Sequence, residues 1–195
     1  MPTLRLSSRR VAPGQRRPHS RRRSGRCRRR ASLLRGHRGL LRPIVMSPSS
    51  AFWDTSAIVP LCFYQKASSA VRRLSRAFSS MVIWWGAPVE AVNAFARLAR
   101  EGAMNENGLH QVRTRLEALR RTWVEILPTE AVRGIAEALP TRLALRTGDV
   151  FQLAAALIWC RERPKGRPFV SLDRRLAEAA LQLGFEAVAG RVSKT

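Results

Sequence analysis

The chain has 195 residues and a formal net charge of +23, from 36 Lys and Arg against 13 Asp and Glu, a length that fits one domain with or without an arm. No apolar run reaches the ~18 residues needed to span a membrane, and the scattered His19, His37 and His110 exclude HExxH and similar zinc signatures. Three cysteines without CxxC spacing argue against a secreted disulfide framework and fit a reducing, cytoplasmic location.

The charge is unevenly spread. Residues 1–45 carry fifteen arginines and no acid, so 46–195 hold the other 21 basic and all 13 acidic residues, a net of +8. Lysine occurs only at Lys66, Lys165 and Lys194, a skew that resembles codon bias in a GC-rich genome. The head alternates Arg with Ser, Gly and Pro, and is expected to be disordered because it has too little apolar surface to offset ordering entropy. It suits an RNA-binding arm or an acid-free, Arg- and Ser-rich organellar transit peptide, and it lacks the apolar core of a secretory signal. A third reading is that it is not normally translated. Met46 is followed by Ser-Pro-Ser-Ser and then by the first strand, and is the expected start of a domain over 46–195.

From Ala51 strand and helix signals alternate. Phe52-Trp53-Asp54 reads as strand one, and Ser56 to Phe63 and Ser68 to Phe78 as two helical pieces, the second with Val71, Leu74 and Phe78 on one face. Met81 to Trp85 is a compact apolar strand, broken by Gly86-Ala87-Pro88. Pro88 suits a first helical position, and that helix runs to about Arg100. Asn105 to Arg121 is amphipathic, with Leu109, Val112, Leu116 and Leu119 on one stripe. Trp123 to Leu127 is a third strand stopped by Pro128. Thr129 caps a helix that Pro140 ends, and Thr147 is the expected cap of the next, Gly148 to about Glu162. That helix is apolar nearly all round and should be central. Pro168 to Leu172 is strand four, Asp173 opens a helix ended by Gly184, and Phe185 to Val188 is a last strand. The alternation predicts an α/β domain with a mostly parallel sheet of four to five short strands, covered on both faces. Cys62 and Cys160 sit in apolar surroundings as small hydrophobes. The tryptophans are expected in the core, with Trp85 left open as a base-stacking platform.

Four carboxylates gather at one edge of such a sheet. Asp54 and Asp173 end strands, while Glu90 and Asp149 lie in first helical turns, and ligands bind where parallel strands end. Taken singly, each also suits a helix N-terminus, where acids satisfy free N–H groups and complement the dipole. Together at a buried edge they are costly, and repel one another unless a cation binds. Oxygen ligands without His or Cys favour Mg²⁺ or Mn²⁺, which activate water and stabilise both oxygens of a phosphodiester displacement. Asp54 is the first choice for a direct or bridging ligand. Ser56 reads first as a helix cap and second as a partner of a carboxylate or a metal-bound water. Asn93 and Arg97 continue the Glu90 stripe at i+3 and i+7; Asn93 is a candidate to orient a water, and Arg97 reads first as a solvated charge. Arg146, Arg174 and Arg175 flank the edge as candidate holders of RNA phosphates.

On these residues the chain resembles the PIN-domain family, in its VapC-like ribonuclease toxin branch. The matching stretches are Trp53-Asp54-Thr55-Ser56-Ala57, Trp84 to Glu90, Leu145-Arg146-Thr147-Gly148-Asp149 with Gln152-Leu153-Ala154-Ala155-Ala156, and Phe169 to Leu176. The resemblance spans roughly 51–190 and departs at Gly86-Ala87-Pro88, where many members have Ser or Thr. It implies a three-layer α/β/α sandwich and Mg²⁺- or Mn²⁺-dependent endoribonuclease activity. It also implies Asp54, Glu90, Asp149 and Asp173 as the catalytic acids, with Thr55 or Ser56 as the hydroxyl near the metal. The expected partners are RNA, a homodimer mate and a small antitoxin.

Other classes fit less well. A receiver-like domain wants an acidic pair after strand one and a lysine near the last strand. A haloacid-dehalogenase-type phosphatase wants DxDxT where this chain has Asp54-Thr55-Ser56-Ala57. The rival readings are a non-catalytic RNA-binding module, whose carboxylates only cap helices, and a PIN-type RNA-processing nuclease that is not a toxin.

Overall fold

The computed structural model describes residues 50–188. The Arg-rich head, the expected start at Met46 and Cys27 lie outside the described residues. The central strand is β1 (Ser50–Trp53), buried along its whole length. Its Phe52 pairs with Val82 of β2 (Ser80–Trp84) on one side and Phe169 of β4 (Pro168–Val170) on the other. β3 (Val124–Ile126) adds beyond β2 and β5 (Glu186–Ala187) beyond β4. The order is β3-β2-β1-β4-β5, with every pair parallel.

Alternation along the strands sorts the core into two clusters. Ala51, Trp53, Met81, Ile83 and Val170 pack with α1 (Thr55–Cys62), α2 (Ser68–Ala77), α3 (Ala87–Arg100) and α4 (Glu106–Arg120). Phe52, Val82, Trp84, Ile126 and Phe169 pack with α5 (Glu130–Ala138), α6 (Thr147–Trp159) and α7 (Arg174–Gln182). The chain is therefore a three-layer α/β/α sandwich. The apolar α6 is largely buried, as the sequence predicts, with Val150, Gln152, Leu153, Ala154, Ala155, Ala156 and Trp159 all covered. Cys62 and Cys160 are both buried, as are all tryptophans except Trp85. No helix of the described residues is long and apolar enough to cross a membrane.

The boundaries differ from expectation where side chains intervene. Thr147 is the first residue of α6 and not its cap; Arg146 holds the cap position, and its N–H donates to Asp149 Oδ2 at 3.4 Å. That back-reach is half of a capping box. α6 stops at Trp159, short of Glu162, because Arg161 and Glu162 take φ of 53° and 56° in the left-handed region. Pro140 does not end the chain's turning, since Leu139–Thr141 continues α5 as a 3₁₀ turn. β4 stops at Val170, two residues before the expected Leu172. The N–H groups of Leu172 and Asp173 go instead to Ser56 Oγ, at 2.8 and 3.2 Å.

The topology creates a crevice. β1 and β4 are neighbours, yet α1 leaves β1 over one face while α7 leaves β4 over the other. Strands whose following helices diverge in this way open a gap at their C-terminal ends, the usual ligand position in parallel α/β sheets.

Candidate active site

Asp54 stands in that gap. It directly follows β1, and its N–H donates to Val170 O of β4 at 2.9 Å. It also caps α1, accepting from Ser56 N at 3.2 Å. The same oxygen, Oδ2, accepts from Ser56 Oγ and, at 3.0 Å, from Ser171 Oγ. The side chain is only 5% exposed. Burial pushes its pKa up to about 6; the Ser56 and Ser171 hydrogen bonds hold it down, and the nearby Glu90 charge adds to the rise.

Ser56 is thus not the cap of α1, which is Asp54 itself. Its hydroxyl binds the Asp54 carboxylate and, through the N–H groups of Leu172 and Asp173, ties α1 to the turn after β4. Asp173 lies three residues beyond β4 and not at its end, because Ser171 and Leu172 form that turn. It caps α7, with Oδ1 accepting from Arg175 N at 2.8 Å and Leu176 N at 3.1 Å.

Glu90 projects from the first turn of α3. Its Oε2 accepts from Thr55 Oγ1 at 2.6 Å and from Gln152 Nε2 at 3.0 Å. Gln152 Nε2 also donates to Thr55 Oγ1 at 2.9 Å, closing a triangle between α1, α3 and α6. The start of α6 abuts the other Glu90 oxygen: a Cβ on Gly148 would lie 3.7 Å from Oε1. Asp149, next in the chain, is half-buried, and its pKa is raised. Burial is the main cause and the Asp173 charge a lesser one, against the Arg146 N–H and the charges of Arg146 and Arg175.

A common pattern unites the four. Each carboxylate has one oxygen held by protein donors, namely Asp54 Oδ2, Glu90 Oε2, Asp149 Oδ2 and Asp173 Oδ1. Among the described residues, no hydrogen bond ends on the second oxygen of any of them. Among the described residues none of the four is in an ion pair, although Glu101, Glu117, Glu125, Glu130 and Glu178 all pair with arginines. Asp54, Asp149 and Asp173 are also the only aspartates in the chain.

The donor set is all hard oxygen, which suits Mg²⁺ or Mn²⁺. Among the described residues no three acids, histidines or cysteines are gathered closely enough to cage an ion by themselves. Mg²⁺ does not require a cage, since it usually takes one or two carboxylates and completes its shell with water and phosphate oxygens. On chemistry the residues fit the ion.

The remaining sequence candidates divide. Arg97 lines a groove of about 340 Å³ that starts at Thr55, Ser56 and Asp173 and runs between α1 and α3, and it pairs loosely with Glu101 at 3.8 Å. The Arg146 and Arg175 charges reach Asp149, and Arg175 donates to Ala144 O at 3.2 Å. Arg174 is drawn away by Glu178 at 2.8 Å. Asn93 is exposed, and its side chain makes no hydrogen bond among the described residues. Two residues were not singled out from the sequence, Gln152 and Ser171. Their signal was present: Gln152 is an amide inside the most apolar helix, and Ser171 a hydroxyl within an apolar run. A buried polar group needs a partner, and here the partners are the site carboxylates and Thr55.

No protein-family model matches the chain, and no curated protein matches it.

Proposed function

We propose that the chain is a metal-dependent endoribonuclease of PIN type, with Asp54, Glu90, Asp149 and Asp173 as the ligand set for Mg²⁺ or Mn²⁺. The observation that carries this reading is the shared pattern of four carboxylates, each with one oxygen fixed and, among the described residues, one without a hydrogen bond and no ion pair. Acids that serve only as surface groups in an arginine-rich protein often recruit arginine, as Glu101, Glu117, Glu125, Glu130 and Glu178 do.

Ser56 and Ser171 orient Asp54, and Thr55 and Gln152 orient Glu90, so both carboxylates are set before any ligand arrives. Burial makes an ionised Asp54 costly, which biases it towards cation binding. The bound ion supplies positive charge against the phosphate and lowers the pKa of an attacking water. Arg97 in the groove and Arg146 and Arg175 beside Asp149 are placed to take up phosphates of the strand. A toxin role, a small antitoxin partner and a homodimer rest on the resemblance alone, and a cytoplasmic location on the sparse cysteines without CxxC spacing.

One observation favours the rival RNA-binding module. Asp54 and Asp173 cap helices outright and Asp149 makes the back-reach of a capping box, so all three aspartates have a structural use. Incubation of the full chain with total cellular RNA, in Mg²⁺, Mn²⁺ or EDTA, separates the readings. Metal-dependent fragments that vanish in Asp54→Asn support the nuclease. Absence of cleavage by folded protein in either metal overturns it, and retained RNA binding then favours the module.

A further inference from the structure

Outside the carboxylate network, the most conspicuous surface group is Trp85, 49% exposed while the other four tryptophans are buried. It follows β2 on the loop that leads into α3 and Glu90, so it stands at the same sheet edge as the carboxylates. Its backbone is fixed, with its N–H donating to Ile126 O at 3.0 Å. Its ring meets Trp84 edge-on, with centroids 6.4 Å apart. Trp84 in turn stacks on Phe151 at 5.5 Å and 3° between planes, and Phe151 is two residues beyond Asp149 in α6.

Gly86 permits this packing of Trp84. A Cβ there would come 2.6 Å from Trp84 Nε1, so the Trp84 indole lies against bare backbone. That gives a physical reason for glycine where the resembled family often has Ser or Thr. Beside the aromatic row is a hollow of about 190 Å³, lined by Trp84, Phe151, Pro128 and Arg133 among others.

We infer that Trp85 is a stacking platform for an unpaired base of single-stranded RNA, close to the phosphate held at the carboxylates. The inference rests on the nuclease reading for the polymer, and what it adds is the role of Trp85 in holding a base. A half-exposed indole presents a π-face on which any unpaired base can stack, whereas a duplex keeps the faces of its bases within its own stack. Arg133, which lines that hollow and pairs with Glu130 at its exposed rim, supplies a cation that a phosphate chain can recruit. Val89 at 68% and Leu127 at 44% exposure give the patch an apolar rim, which makes a protein mate the competing occupant.

The test uses the full chain in an Asp54→Asn background, which keeps RNA intact, with fluorescent single-stranded RNA, the same RNA in duplex form, and a single strand carrying abasic positions. Anisotropy is read across a salt series. Trp85→Ala is expected to weaken single-strand binding roughly tenfold, to leave the salt slope unchanged because no phosphate contact is lost, and to remove the preference for bases over abasic positions. Trp85→Phe is expected to retain most of the affinity. Equal single-strand affinity of Trp85→Ala and its parent overturns the inference, as does a change confined to oligomeric state in sedimentation, which assigns the face to a protein mate. Since binding is read without cleavage, failure of the nuclease reading shows separately, as RNA left intact by the unsubstituted chain.

Discussion

Gln152 Nε2 donates to Glu90 Oε2 at 3.0 Å, joining the apolar helix α6 to a carboxylate at the sheet edge. The Gln152 side chain is 1% exposed, and its Oε1 is buried without a partner. An unsatisfied acceptor of that kind costs roughly 1–3 kcal/mol. Substitution by a thioether of similar volume removes the two donated bonds and the orphaned oxygen together. Gln152→Met is therefore expected to keep stability within about 1 kcal/mol of the parent and to lower kcat/KM about 10–100-fold. Urea denaturation and cleavage of a defined oligonucleotide check the two halves. A large loss of stability with undiminished cleavage would show that the amide serves the core alone.

Asp54 makes the metal-free protein sensitive to pH. Its folded pKa of about 6 lies above the ordinary 3.8, so the folded state binds the proton more tightly than the unfolded chain. The sign follows: its contribution is complete below the unfolded value and is lost as pH rises through about 6, by roughly 3 kcal/mol in all. Asp54→Asn carries no such charge. In EDTA the variant should match the parent near pH 4 and exceed it in stability at pH 8. A difference that does not grow with pH would contradict the assignment.

The same titration should appear in catalysis. At low metal concentration, cleavage is expected to rise with pH through about 6 as Asp54 ionises. More metal should move this limb to lower pH, because ion and proton compete for one carboxylate. Ser171→Ala removes a hydrogen bond that holds the Asp54 pKa down, and should move the limb upward. The pH profiles of kcat/KM at two metal concentrations provide the check.

Gly148 offers a test of access to Glu90. A methyl there would meet Glu90 Oε1 at 3.7 Å, ordinary contact without a clash. Gly148 has no positive φ and lies in the first turn of α6, so alanine should stabilise the fold by about 0.5 kcal/mol. The methyl also shields the one Glu90 oxygen that has no hydrogen bond. Gly148→Ala is expected to melt slightly higher and to cleave more slowly, read by calorimetry and by initial rates.

The fold was legible because its signals are local. Apolar runs at Phe52-Trp53, Met81 to Trp84 and Phe169-Val170 alternate with helical stripes, and a buried α6 announces a covered sheet. The four carboxylates were legible as ends of strands and starts of helices. What escaped was set by side chains that meet across the sequence. Leu172 looked like strand because its apolarity fits one, yet its N–H is taken by Ser56 Oγ, 116 residues away. Thr147 looked like a cap by residue type, but Asp149 performs the back-reach to Arg146. Gln152 and Ser171 are single polar residues in apolar runs, and only the fold shows which carboxylates they hold.

The central claim is that the four carboxylates act as one divalent cation site. Calorimetric titration of the full chain with Mn²⁺, beside Asp54→Asn and Asp149→Asn, tests it without reference to any RNA. Saturable binding that weakens roughly tenfold or more in each variant is the predicted result. Equal Mn²⁺ affinity of parent and variants, or no saturable binding by the folded parent, would contradict the account and leave the aspartates as helix caps.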